Sequence, residues 1–195
     1  MNLPIVYLAG AIRDTHPEDI AWREDVIRQC AGLATFLNPL AGKKLSEGQW
    51  TVSGVPSTPK LIVAQDFWCV DRADIVVANL LSLSEGYPSI GTLMELGRAT
   101  TQALIYSIVS SSYVGHGNKE MFKGNSHPFI QEKSSHIFPD VPSCITFLAA
   151  HLPRLSGMDP SFGDEKKKVG FHPEVLHVPY NYPFFGKTPD TSGTT

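Results

Sequence analysis

Glu95 stands where a carboxylate could do chemistry. It lies one helical turn after Gly91, in a segment opened by the small residues Ser89, Gly91 and Thr92. If this segment forms a helix, its free backbone amides and positive dipole end favour an anion, and the Glu95 side chain points back toward that end. A carboxylate here is either a capping-type residue or a nucleophile, because acidic first turns are ordinary in helices. The local pattern leaves both roles open.

Asp66 is a second candidate acid, eight residues before Asp74. Its neighbours include Ile62, Phe67 and Trp68, in a segment with the spacing of a helix. On this pattern alone, a charge on a helix surface is the plainer interpretation. Asp74 opens the strongest strand pattern of the chain. We expect Asp74 to be structural and to tether the turn between that helix and that strand.

A candidate anion-binding arginine follows the first apolar run. Residues 4–9 are continuously apolar, which is typical of a central parallel strand, and the run ends at Gly10. A glycine lets the backbone approach a ligand, and the planar guanidinium of Arg13 matches a phosphate or a carboxylate. The alternative is a tight turn with a solvated arginine.

The elements that must position these residues alternate between strand and helix patterns. Strand-like runs cover residues 4–9, 34–37, 74–80 and 103–109, and helix-like segments cover 15–30, 61–72, 91–102 and 144–152. This alternation predicts right-handed β-α-β crossovers and a parallel sheet, hence an α/β fold. Ligands of such sheets bind beyond the carboxyl ends of the strands. We expect four segments to converge there: Gly10–Asp14, Asn38–Pro39, Asn79–Thr92 and the residues from Val109 onward.

Two stretches lack a regular pattern. Residues 40–59 are rich in Gly, Ser, Pro and Lys and are predicted to be a mobile loop over one end of the sheet. Within them, Ala41–Ser46 lacks the first glycine and the Lys-Ser/Thr pair of a phosphate-binding loop. Residues 158–195 are dominated by Pro, Gly and aromatic residues without periodicity. We therefore predict one domain over residues 1–157, followed by an irregular C-terminal tail over residues 158–195.

Composition excludes several classes of protein. The 195 residues carry a formal net charge of −3, with a pI near 6.1 and no basic stripe, which argues against a nucleic-acid polymer as partner. No apolar run approaches the ~20 residues of a membrane-spanning helix, and the short apolar start lacks the basic residues of a signal peptide. Three scattered cysteines and seven histidines without metal-ligand spacing predict neither a disulfide framework nor a metal site. A cytoplasmic protein without a membrane or metal partner is the resulting expectation.

Four blocks of residues have an order and spacing that is more specific than any one block. They are Tyr7-x-x-Gly10-x-Ile12-Arg13, then Asp66, then Ala73-Asp74-Ile75-Val76-Val77-Ala78, then Ser89-x-Gly91-Thr92-x-x-Glu95-x-Gly97-x-Ala99. Together they resemble the nucleoside 2-deoxyribosyltransferase superfamily, and within it more closely the 2'-deoxynucleoside 5'-phosphate N-hydrolases. The resemblance covers roughly residues 4–110. It implies a flavodoxin-like, doubly wound parallel sheet of about five strands with helices on both faces.

The same resemblance implies a reaction and its residues. The reaction is cleavage of an N-glycosidic bond without cofactor or metal, in a homodimer or higher homo-oligomer whose subunits share sites. Glu95 falls on the family's nucleophile for the anomeric carbon, Asp66 on the aspartate that positions or protonates the leaving base, and Tyr7 on a tyrosine near the sugar. The chemistry is coherent, because a carboxylate can trap an oxocarbenium-like centre while a second acid with a raised pKa serves the leaving nitrogen.

The predicted substrate contacts separate two subfamilies. The transferases that act on free nucleosides resemble one another in having an acidic residue six positions before the glutamate. This chain has Ser89 at that position and in this respect resembles the phosphate-binding hydrolases. Arg13 falls where those hydrolases place a phosphate-binding arginine, whereas Ala11 replaces a serine that they often have. Ser126 is a candidate for the serine lent by a neighbouring subunit. The remaining predicted substrate contacts are Gly10, Ile12, Asn79, Gly91 and Thr92.

Three functions follow from these residues. The leading one is an N-glycosidase that releases free base and sugar 5-phosphate from (deoxy)nucleoside 5'-monophosphates. The second is a deoxyribosyltransferase that exchanges bases on free nucleosides through the same Glu95 intermediate. A dependence of cleavage on the 5'-phosphate discriminates between them. The third is a nucleotide-binding sensor without turnover, because similar helix starts also occur in sensors and phosphoribohydrolases; the presence of both Glu95 and Asp66 favours an enzyme.

Overall fold

The structure, a computed structural model, describes residues 3–13, 16–46, 49–52, 55–87, 89–99, 103–110 and 128–156. The strands are β1 (Ile5–Gly10), β2 (Thr35–Leu37), β3 (Lys43–Ser46), β4 (Gln49–Val52), β5 (Val55–Pro56), β6 (Ile75–Asn79), β7 (Leu104–Ile108) and β8 (His136–Phe138). The helices are α1 (Glu18–Gln29), α2 (Pro59–Val70), α3 (Ile90–Ala99), α4 (Pro128–Lys133) and α5 (Val141–Leu155), with a short 3-10 helix over Leu81–Glu85. The predicted tail over residues 158–195 lies outside the described residues.

Five of the strands form one parallel sheet in the order β2-β1-β6-β7-β8. Counted within this sheet alone, the order is 2-1-3-4-5, that of a flavodoxin-like doubly wound sheet. The predicted fold is therefore confirmed. The strand order reverses between β1 and β6, so ligands of such a sheet bind beyond the carboxyl ends of these two strands. At that edge Gly10 is paired with Asn79.

The two faces of the sheet are covered by different helices, because successive side chains of a strand point to opposite faces. Val6 and Leu8 of β1 belong to a core that includes buried residues of α1 and α5. Tyr7 and Ala9 point to the other face, where the core includes Val70 of α2 and residues of α3. Tyr7 therefore faces the helices that carry Asp66 and Glu95.

Residues 40–59 contradict the prediction of a loop. The described residues there form a second, antiparallel sheet in the order β3-β4-β5, with Lys43 paired with Val52 and Leu45 paired with Trp50. Composition suggested a loop because glycine, serine and proline are common in this stretch. The strands nevertheless form, because each satisfies the backbone hydrogen bonds of its neighbour. The short elements α4 and β8 were likewise not predicted.

Asp74 has the structural role that the sequence predicts, although it acts on a neighbouring strand. Its Oδ2 accepts a hydrogen bond from the backbone N–H of Ile5 at 2.8 Å, which ties the start of β6 to the start of β1.

Among the described helices, none has the length and apolar character needed to cross a bilayer.

Candidate active site

The centre of the site is a hydrogen bond between the sheet and α3. The Tyr7 hydroxyl donates to Glu95 Oε1 at 2.8 Å. Glu95 belongs to the stripe of α3 that faces the sheet, together with Thr92, Leu96 and Ala99, since residues three, four and seven apart share one face of a helix. Tyr7 is fully buried and Glu95 is only 8% exposed. A glutamate in a core-facing stripe is uncommon, which makes Glu95 a candidate for chemistry.

Burial, together with the nearby charge of Asp66, raises the pKa of Glu95 to about 7. The hydrogen bond from Tyr7 and the cations Arg23 and Lys43 act in the opposite direction. Burial and the neighbouring carboxylates raise the pKa of Tyr7 far above its ordinary value, so the phenol stays neutral and remains a donor. Glu95 therefore divides between its ionised and protonated forms near neutral pH.

Asp66 forms an ion pair with a lysine from the antiparallel sheet. Lys43 Nζ of β3 lies 2.6 Å from Asp66 Oδ1 of α2. The Lys43 side chain is 2% exposed and that of Asp66 is 16% exposed, so the lysine lies behind the carboxylate. Burial raises the pKa of Asp66, and Lys43 and Arg23 oppose that rise. The residues Tyr7, Glu95, Asp66 and Lys43 are called the inner cluster below.

A buried arginine braces the end of β1. Arg23 of α1 donates to the backbone carbonyls of Leu8 at 3.1 Å and Gly10 at 2.7 Å, and it also contacts the carbonyls of Ala11 and Asp19. Burial lowers its pKa to about 10, so it is still a cation at neutral pH. Its charge lowers the pKa of the carboxylates in the inner cluster.

Gly10 meets its neighbours closely on the side of the core. A Cβ at this position would lie 3.0 Å from Nη2 of Arg23 and from Cζ2 of Trp22, and 3.3 Å from Cβ of Asn79. The structure therefore explains this glycine by the packing of Arg23 and Trp22, a reason that differs from the predicted approach of a ligand. Ile12, another predicted contact, lies in the irregular segment after β1 and is half-buried.

Arg13 already holds two carboxylates. Its Nε and Nη2 donate to Asp19 at 2.6 and 2.9 Å, and its Nη1 donates to Glu85 Oε2 at 2.6 Å. The Tyr87 ring lies with its centroid 5.2 Å from the guanidinium carbon. Asp19 is nearly buried, whereas the Glu85 side chain is 49% exposed. The residues Arg13, Asp19 and Glu85 are called the outer cluster below.

The remaining predicted contacts lie around the starts of α3 and the 3-10 helix. Ser89 and Thr92 are buried, and their hydroxyl oxygens are 2.6 Å apart, so each is the other's hydrogen-bond partner. Asn79 Oδ1 accepts from the backbone N–H two residues on, at 3.0 Å. Gly91 is exposed, with nothing within 4 Å of an added Cβ. Ser126 lies outside the described residues.

Lys43 and Arg23 are the site residues that sequence reasoning missed. Arg23 carried a signal, because Asp19, Trp22, Arg23 and Val26 have the spacing of one helix face and are all buried. Lys43 lies in Ala41–Ser46, which lacks the pattern of a phosphate-binding loop and showed no other signal for a functional residue. Its role depends on a partner 23 residues away, which no local pattern shows.

Within the described part of the chain, no group of three or more His, Cys, Asp and Glu side chains is arranged to hold a metal ion.

Solved structures share this fold at low sequence identity. A conserved protein from Enterococcus faecalis V583 superposes with a TM-score of 0.55 and 12% identity, over 76% of this chain and 99% of its own. A 2-desoxiribosyltransferase from Leishmania mexicana superposes with a TM-score of 0.53 and 15% identity, over 76% of this chain and 98% of its own. Their likeness shows the fold. No protein-family model and no curated protein matches the chain.

Proposed function

We propose that this protein cleaves the N-glycosidic bond of (deoxy)nucleoside 5'-monophosphates, with Glu95 as nucleophile. The observation that carries the proposal is the buried hydrogen bond between Tyr7 and Glu95, on the face of the sheet covered by α2, the helix of Asp66. Further support comes from the Leishmania mexicana protein, which shares the fold and is named a 2-desoxiribosyltransferase. Such an enzyme makes and breaks the same class of bond.

The inner cluster suits a double displacement. Tyr7 occupies Oε1 of Glu95, and Oε2 accepts no hydrogen bond from the described residues, so Oε2 is the atom that attacks the anomeric carbon. The C–N bond breaks and its electron pair goes to the base nitrogen. That nitrogen takes a proton from Asp66 or, if Asp66 only positions the base, from water. Water then attacks the anomeric carbon of the glycosyl ester, which frees the sugar 5-phosphate and restores the Glu95 carboxylate.

The outer cluster is the proposed site of the 5'-phosphate. The exposed Glu85 occupies one edge of the Arg13 guanidinium, while Asp19 holds the other. A phosphate dianion can replace the Glu85 carboxylate on Nη1 and leave the bond to Asp19 in place. Ser89 adds a hydroxyl near the start of α3, where backbone amides favour an anion.

Base exchange on free nucleosides is the second candidate, and the state of Arg13 favours it. An arginine that two carboxylates already neutralise binds an added phosphate more weakly than a free one. A substrate with an uncharged 5'-hydroxyl leaves these ion pairs intact. In that reaction a second base, instead of water, intercepts the glycosyl ester on Glu95.

An oligomer with shared sites is part of the proposal. The two helices that carry Asp66 and Glu95 also expose large apolar side chains, which mark interaction surfaces when they are grouped. These are Leu61, Val63 and Trp68 of α2 and Ile90, Leu93 and Met94 of α3. Light scattering should show at least a dimer, and Ser126→Ala should weaken phosphate-bearing ligands; a monomer fully active at nanomolar concentration contradicts shared sites.

A panel of nucleosides and their 5'-monophosphates tests the function. Purified protein is incubated with each compound, and released base is measured by chromatography, with and without an added acceptor base. Release from monophosphates in water supports the first candidate, and exchange that needs an acceptor base supports the second. Binding without any release contradicts both and indicates a sensor.

A further inference from the structure

The two members of the ion pair between Lys43 and Asp66 differ in exposure. Lys43 is almost completely buried, and its Nζ donates a hydrogen bond to Asp66 Oδ1. Asp66 is the more exposed partner, and its Oδ2 has no hydrogen-bond partner among the described residues. A lysine ammonium only donates hydrogen bonds, and this one is buried. The atom that the pair offers to a ligand is therefore the acceptor oxygen Oδ2 of Asp66.

The other charged and titratable groups around Asp66 leave Lys43 as its contacting counter-ion. Tyr7 and Cys69 stay neutral at pH 7, because burial raises the pKa of each. The charge of Arg23 lowers the pKa of Asp66, but the guanidinium donates its hydrogen bonds to backbone carbonyls. Glu95 is the remaining acid, and it is hydrogen-bonded to Tyr7. Burial raises the pKa of Asp66, and the hydrogen bond and charge of Lys43 oppose that rise more than the charge of Arg23 does, so Lys43 is the main group that favours the ionised form.

We propose that Lys43 is a positioning residue that holds Asp66 as an anion, so that Asp66 Oδ2 accepts a hydrogen bond from an amino group of the base. This inference rests on the proposed function and selects one of the two roles left open for Asp66. Asp66 positions the base and carries no proton for it; the leaving nitrogen takes its proton from water.

The consequence is a preference among bases. The amino group of adenine or cytosine donates to a carboxylate, whereas hypoxanthine and uracil place a carbonyl oxygen at the same position, which a carboxylate repels. We expect amino bases to be released with a kcat/KM about tenfold or more above that of their oxo counterparts, the scale of one charge-assisted hydrogen bond.

The test compares Lys43→Met with three controls. Lys43→Arg keeps the cation, Lys60→Met removes an exposed lysine of α2, and Lys43→Met combined with Asp66→Asn removes both charges of the pair. The double variant leaves no unpaired buried charge, so it keeps the experiment informative if Lys43→Met folds poorly. Thermal melts establish which variants are folded.

Carboxyl NMR supplies a readout that does not depend on turnover. With 13C-labelled aspartate, the Asp66 signal is assigned by its loss in Asp66→Asn. We expect its pKa to be about one unit or more higher in Lys43→Met than in the wild type, and unchanged in Lys60→Met. An unchanged Asp66 titration in Lys43→Met overturns the proposal. The same signal should shift when free adenine or cytosine is added, and no shift with either base also overturns it.

The pH profile of kcat/KM decides between an acceptor and a proton donor. If Asp66 works as an anion, Lys43→Met loses about tenfold at pH 7 with amino bases, and its acidic limb moves to higher pH. The part of this movement that comes through Asp66 is absent when Asp66→Asn is also present. Wild-type or greater activity of Lys43→Met at pH 7 means that Asp66 works protonated and overturns the proposal. If the wild type releases no base at all, the proposed function fails, while the NMR titration still tests the link between Lys43 and Asp66.

Discussion

The inner and outer clusters both pair carboxylates with a cationic side chain, but they differ in how many of their hydrogen-bonding atoms are already occupied. Among the residues that the structure describes, each carboxylate of the inner cluster has one hydrogen-bond partner, Tyr7 for Glu95 and Lys43 for Asp66. Burial raises the pKa of both acids. In the outer cluster one arginine holds two carboxylates, and its hydrogen bond to Asp19 raises the pKa of Arg13. A buried carboxylate with an unused oxygen is ready to react or to bind, whereas a saturated arginine must give up a partner first.

The inner cluster is proposed to carry out bond cleavage, and the outer cluster is proposed to bind the 5'-phosphate. Loss of an inner carboxylate removes the group proposed to attack the sugar or the group proposed to hold the base, so the effect does not depend on whether the substrate carries a phosphate. Loss of an outer group changes the competition between a protein carboxylate and a ligand anion, so the effect depends on whether the substrate carries a phosphate. The two clusters are therefore expected to give different patterns over a matched set of monophosphates and nucleosides.

Replacement of Glu95, the proposed nucleophile, has the largest expected effect. Glu95→Gln keeps an acceptor for the Tyr7 hydroxyl but cannot form a glycosyl ester, so turnover should fall roughly a thousandfold or more with every substrate. Ligand binding should be retained, and the melting temperature should not fall. Steady-state base release and isothermal titration measure the two properties, and wild-type-like turnover in this variant rules out Glu95 as nucleophile.

The same substitution should change how stability depends on pH. The pKa of Glu95 is about 7 in the folded protein, against an ordinary value of 4.5. The folded state thus holds this proton more tightly than the unfolded state, so stability from this group is complete below pH 4.5 and is lost as pH rises through 7. At about 1.4 kcal/mol per pKa unit, the loss approaches roughly 3 kcal/mol. Denaturant unfolding at pH 5 and pH 8 should show this decline in the wild type and its absence in Glu95→Gln.

Asp66→Asn should affect substrates according to their leaving group. We expect a loss of about a hundredfold for natural amino bases, because the amide no longer holds the base in position as the carboxylate does. The loss should be much smaller for an activated analogue such as a nitrophenyl glycoside, which has no amino group for Asp66 to hold. Paired kcat/KM measurements on the two substrate types test this. An equal loss on both, together with a lower melting temperature, indicates that Asp66 only supports the fold.

Arg13→Ala should act on monophosphates alone. Glu85 competes for the guanidinium, so we expect about tenfold loss in the ratio of kcat/KM for a monophosphate to that for its nucleoside, the scale of one charge-assisted hydrogen bond. Arg98→Ala is a matched control, because Arg98 also holds an aspartate, Asp71, with two hydrogen bonds. Ser89→Asp should shift the ratio further toward nucleosides. A wild-type ratio near one that none of these changes alters favours the base-exchanging transferase.

Glu85→Gln should have the smallest effect, and in the opposite direction. Removal of this carboxylate frees Nη1 of Arg13 for a phosphate, while Asp19 stays bound. We expect the same ratio to rise about threefold, within the range of an exposed ion pair. If the ratio falls, Glu85 does not compete with the phosphate and instead helps to hold Arg13 in place.

Local patterns predicted much of this arrangement, and contacts distant in sequence account for what they missed. The apolar strands and the stripe of α3 depend on residues a few positions apart, so the parallel sheet was predictable. The antiparallel sheet that carries Lys43 depends on pairing between strands, and composition alone pointed to a loop. Arg13 was predicted as an anion-binding residue. Its hydrogen bond to Glu85 was not predictable, because Glu85 lies 72 positions away in the sequence.

A trapped intermediate tests the central role of Glu95 most directly. A substrate with fluorine on the sugar carbon next to the anomeric carbon slows breakdown of the ester and lets it accumulate. We expect intact mass spectrometry to show one added fluoro-sugar group, peptide mapping to place it on Glu95, and Glu95→Gln to show none. Release of base with no adduct, or an adduct on another residue, would contradict the mechanism.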